Sequence, residues 1–148
     1  MLPQDIKILL VRDLKKLRAE ITQYKDESAI WRKEKAIPNS AGNLCLHLVG
    51  NLNTYVGAIL GNTGYTRQRD LEFSLKDIPA AELVKKIDET IGVVESTFEG
   101  LQDHKLDEIY PVIVFDEEMT TAYFLVHLAM HLGYHLGQVN YHRRMLDN

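Results

Sequence analysis

Five histidines stand where their spacing has chemical consequences: His47, His127, His131, His135 and His142. His127, His131 and His135 follow one another at intervals of four, so on a helix they stack along one face; Gln138 continues the stripe and His142 nearly completes it. Phe124, Leu125, Leu128, Leu132, Leu136 and Val139 lie between them, with little charge from Thr120 to Tyr141. The pattern predicts a helix buried over much of its circumference, with some of these rings facing inward. Burying a neutral imidazole costs free energy unless its ring nitrogens find partners. A divalent metal ion would give several such rings one shared partner, because imidazole is a good ligand for zinc, nickel and similar ions. Two other arrangements fit the same residues. One is a polar core stripe satisfied by backbone carbonyls, and the other is a surface ladder, which the scarcity of accompanying charge disfavours.

Two ligands one turn apart on a helix, closed by a third from a facing helix, make a triangular face and leave room for an exogenous ligand, as in a reactive rather than a structural site. Spacing alone does not say which two of the stacked three would bind. Gly133 and Gly137 flank His135 and lower the bulk beside it. The facing candidate is His47, which forms a polar stripe with Asn43 and Asn51 at intervals of four. These asparagines either hydrogen-bond a ligand or substrate or face water from the helix flank.

The elements that must position these residues follow from apolar periodicity. Ile6, Leu10, Leu14, Leu17, Ile21 and Tyr24 recur at steps of three and four, predicting a long amphipathic helix over roughly 4–26. A charged run, Arg32-Lys33-Glu34-Lys35, and Pro38 interrupt it, and Asn39-Ser40 offers a cap for a second helix running to about Leu60. Gly61-Asn62-Thr63-Gly64 is a stop signal, and the connection over 66–78 is dense in charge. Pro79 suits a first helical turn, and Leu83, Ile87, Ile91, Val94, Phe98 and Leu101 define a third helix that tolerates Gly92. Residues 103–118 are the least helical, with the patch Tyr110 to Phe115 read as an extended piece or an apolar plug, and the last helix spans about 119–145. Four helices without alternating strands predict an all-α four-helix bundle. Two connections exceed the about two to eight residues of a minimal bundle, which favours crossovers over tight up-down turns.

The 148 residues suit one domain, and 45% apolar with 26% charged residues is an ordinary globular balance. A net charge of -4 gives no reason to expect nucleic acid or an acidic membrane surface as partner. The N-terminal residues do not read as a signal peptide, and no stretch approaches the length needed to span a bilayer. Cys45 is alone, so a reducing, cytoplasmic setting is expected, with the thiol acting as a small buried hydrophobe.

The segments Asn39 to Asn51 and His131-Leu132-Gly133-Tyr134-His135-Leu136-Gly137-Gln138-Val139 resemble the second and closing helices of DinB-like proteins, in the right order and about eighty residues apart. The order of long helices fits over nearly the whole chain. This resemblance implies a DinB/YfiT-like four-helix bundle with a long crossover, with His47, His131 and His135 binding nickel or zinc. It also implies a homodimer, and a small-molecule substrate such as a low-molecular-weight thiol, because assigned members include metal-dependent thiol transferases and a maleylpyruvate isomerase. The chain looks closest to a branch bearing Arg69-Asp70-Leu71-Glu72-Phe73 after the second helix. His127 is additional to that triad, and reads as a register alternative, a nearby base or a core filler. Three neutral imidazoles would leave the ion's charge uncompensated, so bound water or thiol would ionise more readily. His127, Tyr134 and Glu72 are candidates for proton handling, and Asn43, Asn51 and Gln138 for hydrogen bonds around the ligands. Glu72 reads equally well as an exposed loop charge. The expected function is a metal-dependent enzyme acting on small thiol-linked substrates by transfer or hydrolysis; the alternative is a non-catalytic metal- or ligand-binding bundle that dimerises.

Overall fold

The computed structural model describes residues 2–148. Helix α1 spans Leu2–Thr22, α2 spans Ala41–Leu52, α3 spans Arg69–Ser74, α4 spans Ala80–Glu99 and α5 spans Thr121–Leu146. A π turn, Asn53–Ala58, and a last α turn, Ile59–Gly61, prolong α2, and short 3-10 turns occupy Glu27–Trp31 and Asp103–Asp107. The fold is all-α, as the periodicity predicts, but has five helices rather than four. The extra one, α3, lies inside the connection that reads as a charged loop, because its six residues RDLEFS are too short to display a period.

Helix α1 packs on α4 and α5, while α2 packs on α3, α4 and α5. Neither α1 with α2 nor α4 with α5 forms a main packing pair. Among the four long helices, α1 and α2 therefore sit on one diagonal of the bundle and α4 and α5 on the other, so the connections α1–α2 and α4–α5 must cross it. One core runs through the middle, with Leu10, Leu14, Leu17 and Ile21 from α1 meeting Leu48, Leu52, Leu83, Ile87, Phe124, Leu125 and Leu128 from the other long helices. Cys45 lies fully buried in it, and burial pushes its thiol up to about 12.

The stop at Gly61-Asn62 has a visible cause, since Asn62 adopts the left-handed conformation with φ of 50°. The π turn before it widens the helix where Asn53 Nδ2 donates to Val49 O (2.8 Å) and to Thr90 Oγ1 of α4 (2.9 Å). The Tyr55 carbonyl on this turn accepts a 2.6 Å hydrogen bond from the Tyr110 hydroxyl. That contact resolves the 110–115 patch: Tyr110 is buried as a plug, whereas Val112, Ile113 and Phe115 remain exposed.

Two expectations are corrected. Residues Ala41–Gly61 do form a 21-residue helical run of mean hydropathy 1.3, long and apolar enough to cross a membrane by length and composition; 61% of that window is buried inside the bundle. A core helix passes the same test. Helix α5, in contrast, is less enclosed than its sequence suggests, for Tyr123, Val126, Met130, Tyr134, Tyr141 and Met145 are all exposed.

Candidate metal centre

Helix α2 starts at Ser40, whose Oγ accepts from Asn43 N (3.1 Å) and so supplies the N-cap. Two turns further on, α2 presents His47 toward α5, buried at 8% exposure. Helix α5 starts at Thr120, whose side chain caps Tyr123 N, and presents His131 and His135 one turn apart. His47 Nε2 and His131 Nε2 are 3.2 Å apart. One ligand atom from each of His47, His131 and His135 falls within 4.8 Å of the others. The donor atoms of one tetrahedral zinc site lie about 3.3 Å apart, so a modest inward turn of the rings lets all three share an ion.

The surroundings assign proton positions. Glu72 Oε1 lies 3.1 Å from His47 Nδ1, and Arg67 holds the same carboxylate through Nε to Oε2 (2.9 Å) and Nη2 to Oε1 (3.0 Å). The carboxylate can only accept, so His47 Nδ1 carries the proton and Nε2 keeps its lone pair. Arg67 Nη2 is also 3.4 Å from His47 Nδ1; two donors cannot bond each other, and the shorter contacts to Glu72 define the network. At the other end, His135 Nδ1 lies 2.7 Å from Gln138 Oε1, which leaves His135 Nε2 free in the same way. An acceptor on one imidazole nitrogen, turning the other toward an ion, is how protein groups orient metal-binding histidines. The third ring differs: His131 Nδ1 is buried with no hydrogen-bond partner. Burial first, and then its histidine neighbours, press the His131 pKa down to about 4. Burial also lowers His135, partly offset by the Gln138 contact. His131 and His135 are thereby held toward the neutral form, the state in which imidazole binds a metal, and the three residues fit a divalent ion.

Glu72 is thus a buried partner of His47 rather than an exposed loop charge. Burial alone would raise its pKa, but the hydrogen bonds from His47 and Arg67 outweigh that and hold it below the ordinary carboxylate range. Space for it comes from Gly50, where an added Cβ would lie 1.9 Å from Glu72 Oε2. Asn43 does not reach the ligands. Its Nδ2 donates to Glu72 O (3.0 Å) and Leu75 O (2.8 Å), tying α3 to the start of α2 and so fixing the carboxylate's approach.

A cavity of about 390 Å³ opens on the His47 and His131 side, lined also by Asn51, Tyr55, Arg67, Arg69, His127 and the apolar Val114, Phe115, Phe124 and Leu128. His127 lies on this cavity, its ring centroid 6.2 Å from that of His131 and outside the close cluster. On the His135 side a groove of about 410 Å³ runs between Pro38 and the end of α5, and includes Tyr134. Tyr134 is 67% exposed there, with only an edge contact to His135. His142 leaves the stripe altogether. Its Nδ1 accepts from the Tyr24 hydroxyl (2.6 Å) and its Nε2 donates to Arg32 O (2.8 Å), a satisfied core histidine. Gly133 faces Asp13 of α1, and Gly137 borders open space, so neither makes room beside His135 as their spacing suggested.

Sequence reasoning missed Arg67, Arg69 and Phe73 as parts of this site. Phe73 packs on the His47 ring at 5.1 Å, and the Arg69 guanidinium sits 5.4 Å over Phe73. The signal available was the run Arg67 to Phe73, with two arginines, two acids and an aromatic, which has no use in a plain linker.

No curated protein and no solved structure matches the chain. One family model does, described as "Protein of unknown function (DUF1572)", over residues 5–148. Nearly the whole chain is covered, including all three histidines and the α3 segment that carries Glu72. The chain belongs to the DUF1572 family, within the DinB-like superfamily.

Proposed function

We propose that this chain is a metal-dependent enzyme that activates a small thiol for transfer to an electrophile. The observation that carries the reading is a cluster of three imidazoles, two with Nδ1 already committed to Glu72 and Gln138, beside an open cavity. His47, His131 and His135 would hold nickel or zinc, and the ion would act as a Lewis acid that makes a thiol more acidic. His127, on the cavity wall, takes the S–H proton, and the sulfur forms a bond to the electrophilic carbon as that carbon's leaving group departs. Hydrolysis is less well served. No carboxylate lines the cavity among the described residues, and Glu72 is locked behind His47 by Arg67. The same lack of a cavity carboxylate suits a second reading, a bundle that binds a metal or ligand without turnover.

The test is titration of the nickel-loaded protein with 2-mercaptoethanol, followed by conjugation to an aryl chloride. A thiolate-to-nickel charge-transfer band and a rate above the uncatalysed one are expected, with His127→Ala keeping the band and slowing conjugation about a hundredfold. Fully loaded protein showing neither band nor rate would favour the non-catalytic reading.

The same proposal includes a homodimer and a cytoplasmic setting, the latter suited to the lone buried Cys45. The second copy would seat on the exposed α5 stripe of Tyr123, Met130, Tyr134, Tyr141 and Met145. An antiparallel, two-fold pairing of α5 would bring Asp116, Glu117 and Glu118 of one copy toward Arg143 and Arg144 of the other.

A further inference from the structure

We infer that the cavity beside His47 and His131 recognises a small organic carboxylate, and that Arg69 is the residue that meets its charge. The inference places the ligand by the metal-site reading above but does not depend on thiol chemistry.

Arg67 is spent on Glu72 through two hydrogen bonds, so that pair contributes no net charge to the cavity. Arg69 has no carboxylate partner among the described residues, and the cavity lining contains no acid to supply one. An unopposed guanidinium on a cavity wall, next to three imidazoles clustered as for a dication, makes the space strongly positive whenever an ion is present. Such a space favours an anion.

Geometry makes Arg69 more than a stray surface cation. Its guanidinium rests on Phe73 at 5.4 Å, and Phe73 rests on the His47 ring at 5.1 Å. The stack ties the cation's position to a metal ligand. Asn51 also lines the cavity; it is only 7% exposed, and its Oδ1 is buried without a hydrogen-bond partner. Buried polar atoms are rarely left so. With Oδ1 enclosed, Nδ2 is the end of the amide left to donate to a guest. Val114, Phe115 and Leu128 supply an apolar wall for the remainder of the ligand.

The donor set selects a carboxylate over a phosphate. One planar guanidinium matches a carboxylate with two parallel hydrogen bonds, whereas a phosphate dianion would need more donors than Arg69 and Asn51 offer.

The experiment is calorimetric titration of the zinc-loaded protein with succinate and, separately, with its neutral diamide, succinamide. Succinate should bind about tenfold or more tightly than succinamide. Arg69→Gln should remove that advantage while leaving zinc content and succinamide binding unchanged, and Arg69→Lys should restore only part of it. Succinate binding that is equal in wild type and Arg69→Gln, or no tighter than succinamide binding, would overturn the inference. Its failure is separable from that of the thiol reading, which stands or falls on the charge-transfer band with 2-mercaptoethanol, a thiol without a carboxylate.

Discussion

At the scale of single residues, the three histidines bring one ligand nitrogen each within 4.8 Å of the others. His47 and His135 each give a proton to a protein acceptor at Nδ1, and His131 has its pKa pushed down to about 4 by burial and by the rings around it. The linkage to stability has a definite sign. An unfolded His131 titrates near 6.5, so below that pH the unfolded chain takes up a proton that the folded chain refuses until about 4. Metal-free protein should therefore lose stability progressively as pH falls from 6.5 to 4. The depressed pKa of Glu72 adds a further loss as pH drops through its folded value. Urea denaturation at a series of pH values checks this, with His131→Ala expected to flatten the upper part of the slope. An unchanged slope in that variant would show that His131 is not the group responsible. The stripe of His127, His131 and His135 was legible because intervals of four mark one face of a helix, but only the family resemblance picked His131 and His135 from the three. The partners were less so: Gln138 lies one turn from His135 and is visible in the stripe, but Glu72 comes from a different element 25 residues from His47.

At the scale of elements, the decisive piece is α3, the six-residue helix that periodicity could not reveal. It is docked by Asn43 and by Phe73 rather than by an apolar face of its own, so the usual amphipathic signal is missing. Its docking explains Gly50. In an exposed helix interior, Gly to Ala gains about 1 kcal/mol, but here the methyl would lie 1.9 Å from Glu72 Oε2, and three hydrogen bonds hold that carboxylate in place. The steric term should win. Gly50→Ala is expected to destabilise the fold by about 1–3 kcal/mol and to weaken zinc binding about 10- to 100-fold, the usual cost of losing a carboxylate behind a ligating histidine. Thermal unfolding and competition with a zinc chelator measure the two effects. Unchanged zinc affinity would mean that Glu72 does not orient His47. The long helices themselves were readable because α1, α4 and α5 repeat apolar residues every three or four positions. The π turn of Asn53–Ala58 was not, since it depends on Asn53 reaching Thr90 of another helix.

At the scale of the whole molecule, placing α1 opposite α2 and α4 opposite α5 packs α2 on α5 and brings residue 47 against residues 131 and 135. The long connections in the sequence hinted at that topology without specifying it, because only packing decides which helices become neighbours. The same assembly leaves the apolar stripe of α5 uncovered. Sedimentation at tens of micromolar should give a species of about twice 17 kDa, shifting toward the monomer in Met130→Glu and Tyr134→Glu. A 17 kDa species in the wild type would exclude the α5 pairing. This topology is expected to hold one ion between α2 and α5. Elemental analysis of untagged protein, repeated for His47→Ala, His131→Ala, His135→Ala and His127→Ala, measures it directly. Close to one equivalent of a transition metal per chain is expected in the wild type and in His127→Ala, with loss in the three triad variants. Because binding confined to the folded state adds stability, chelation should also lower the melting temperature of the wild type and leave the triad variants nearly unmoved. Metal retained at full stoichiometry in all three triad variants would contradict the assignment of His47, His131 and His135 as the ligands.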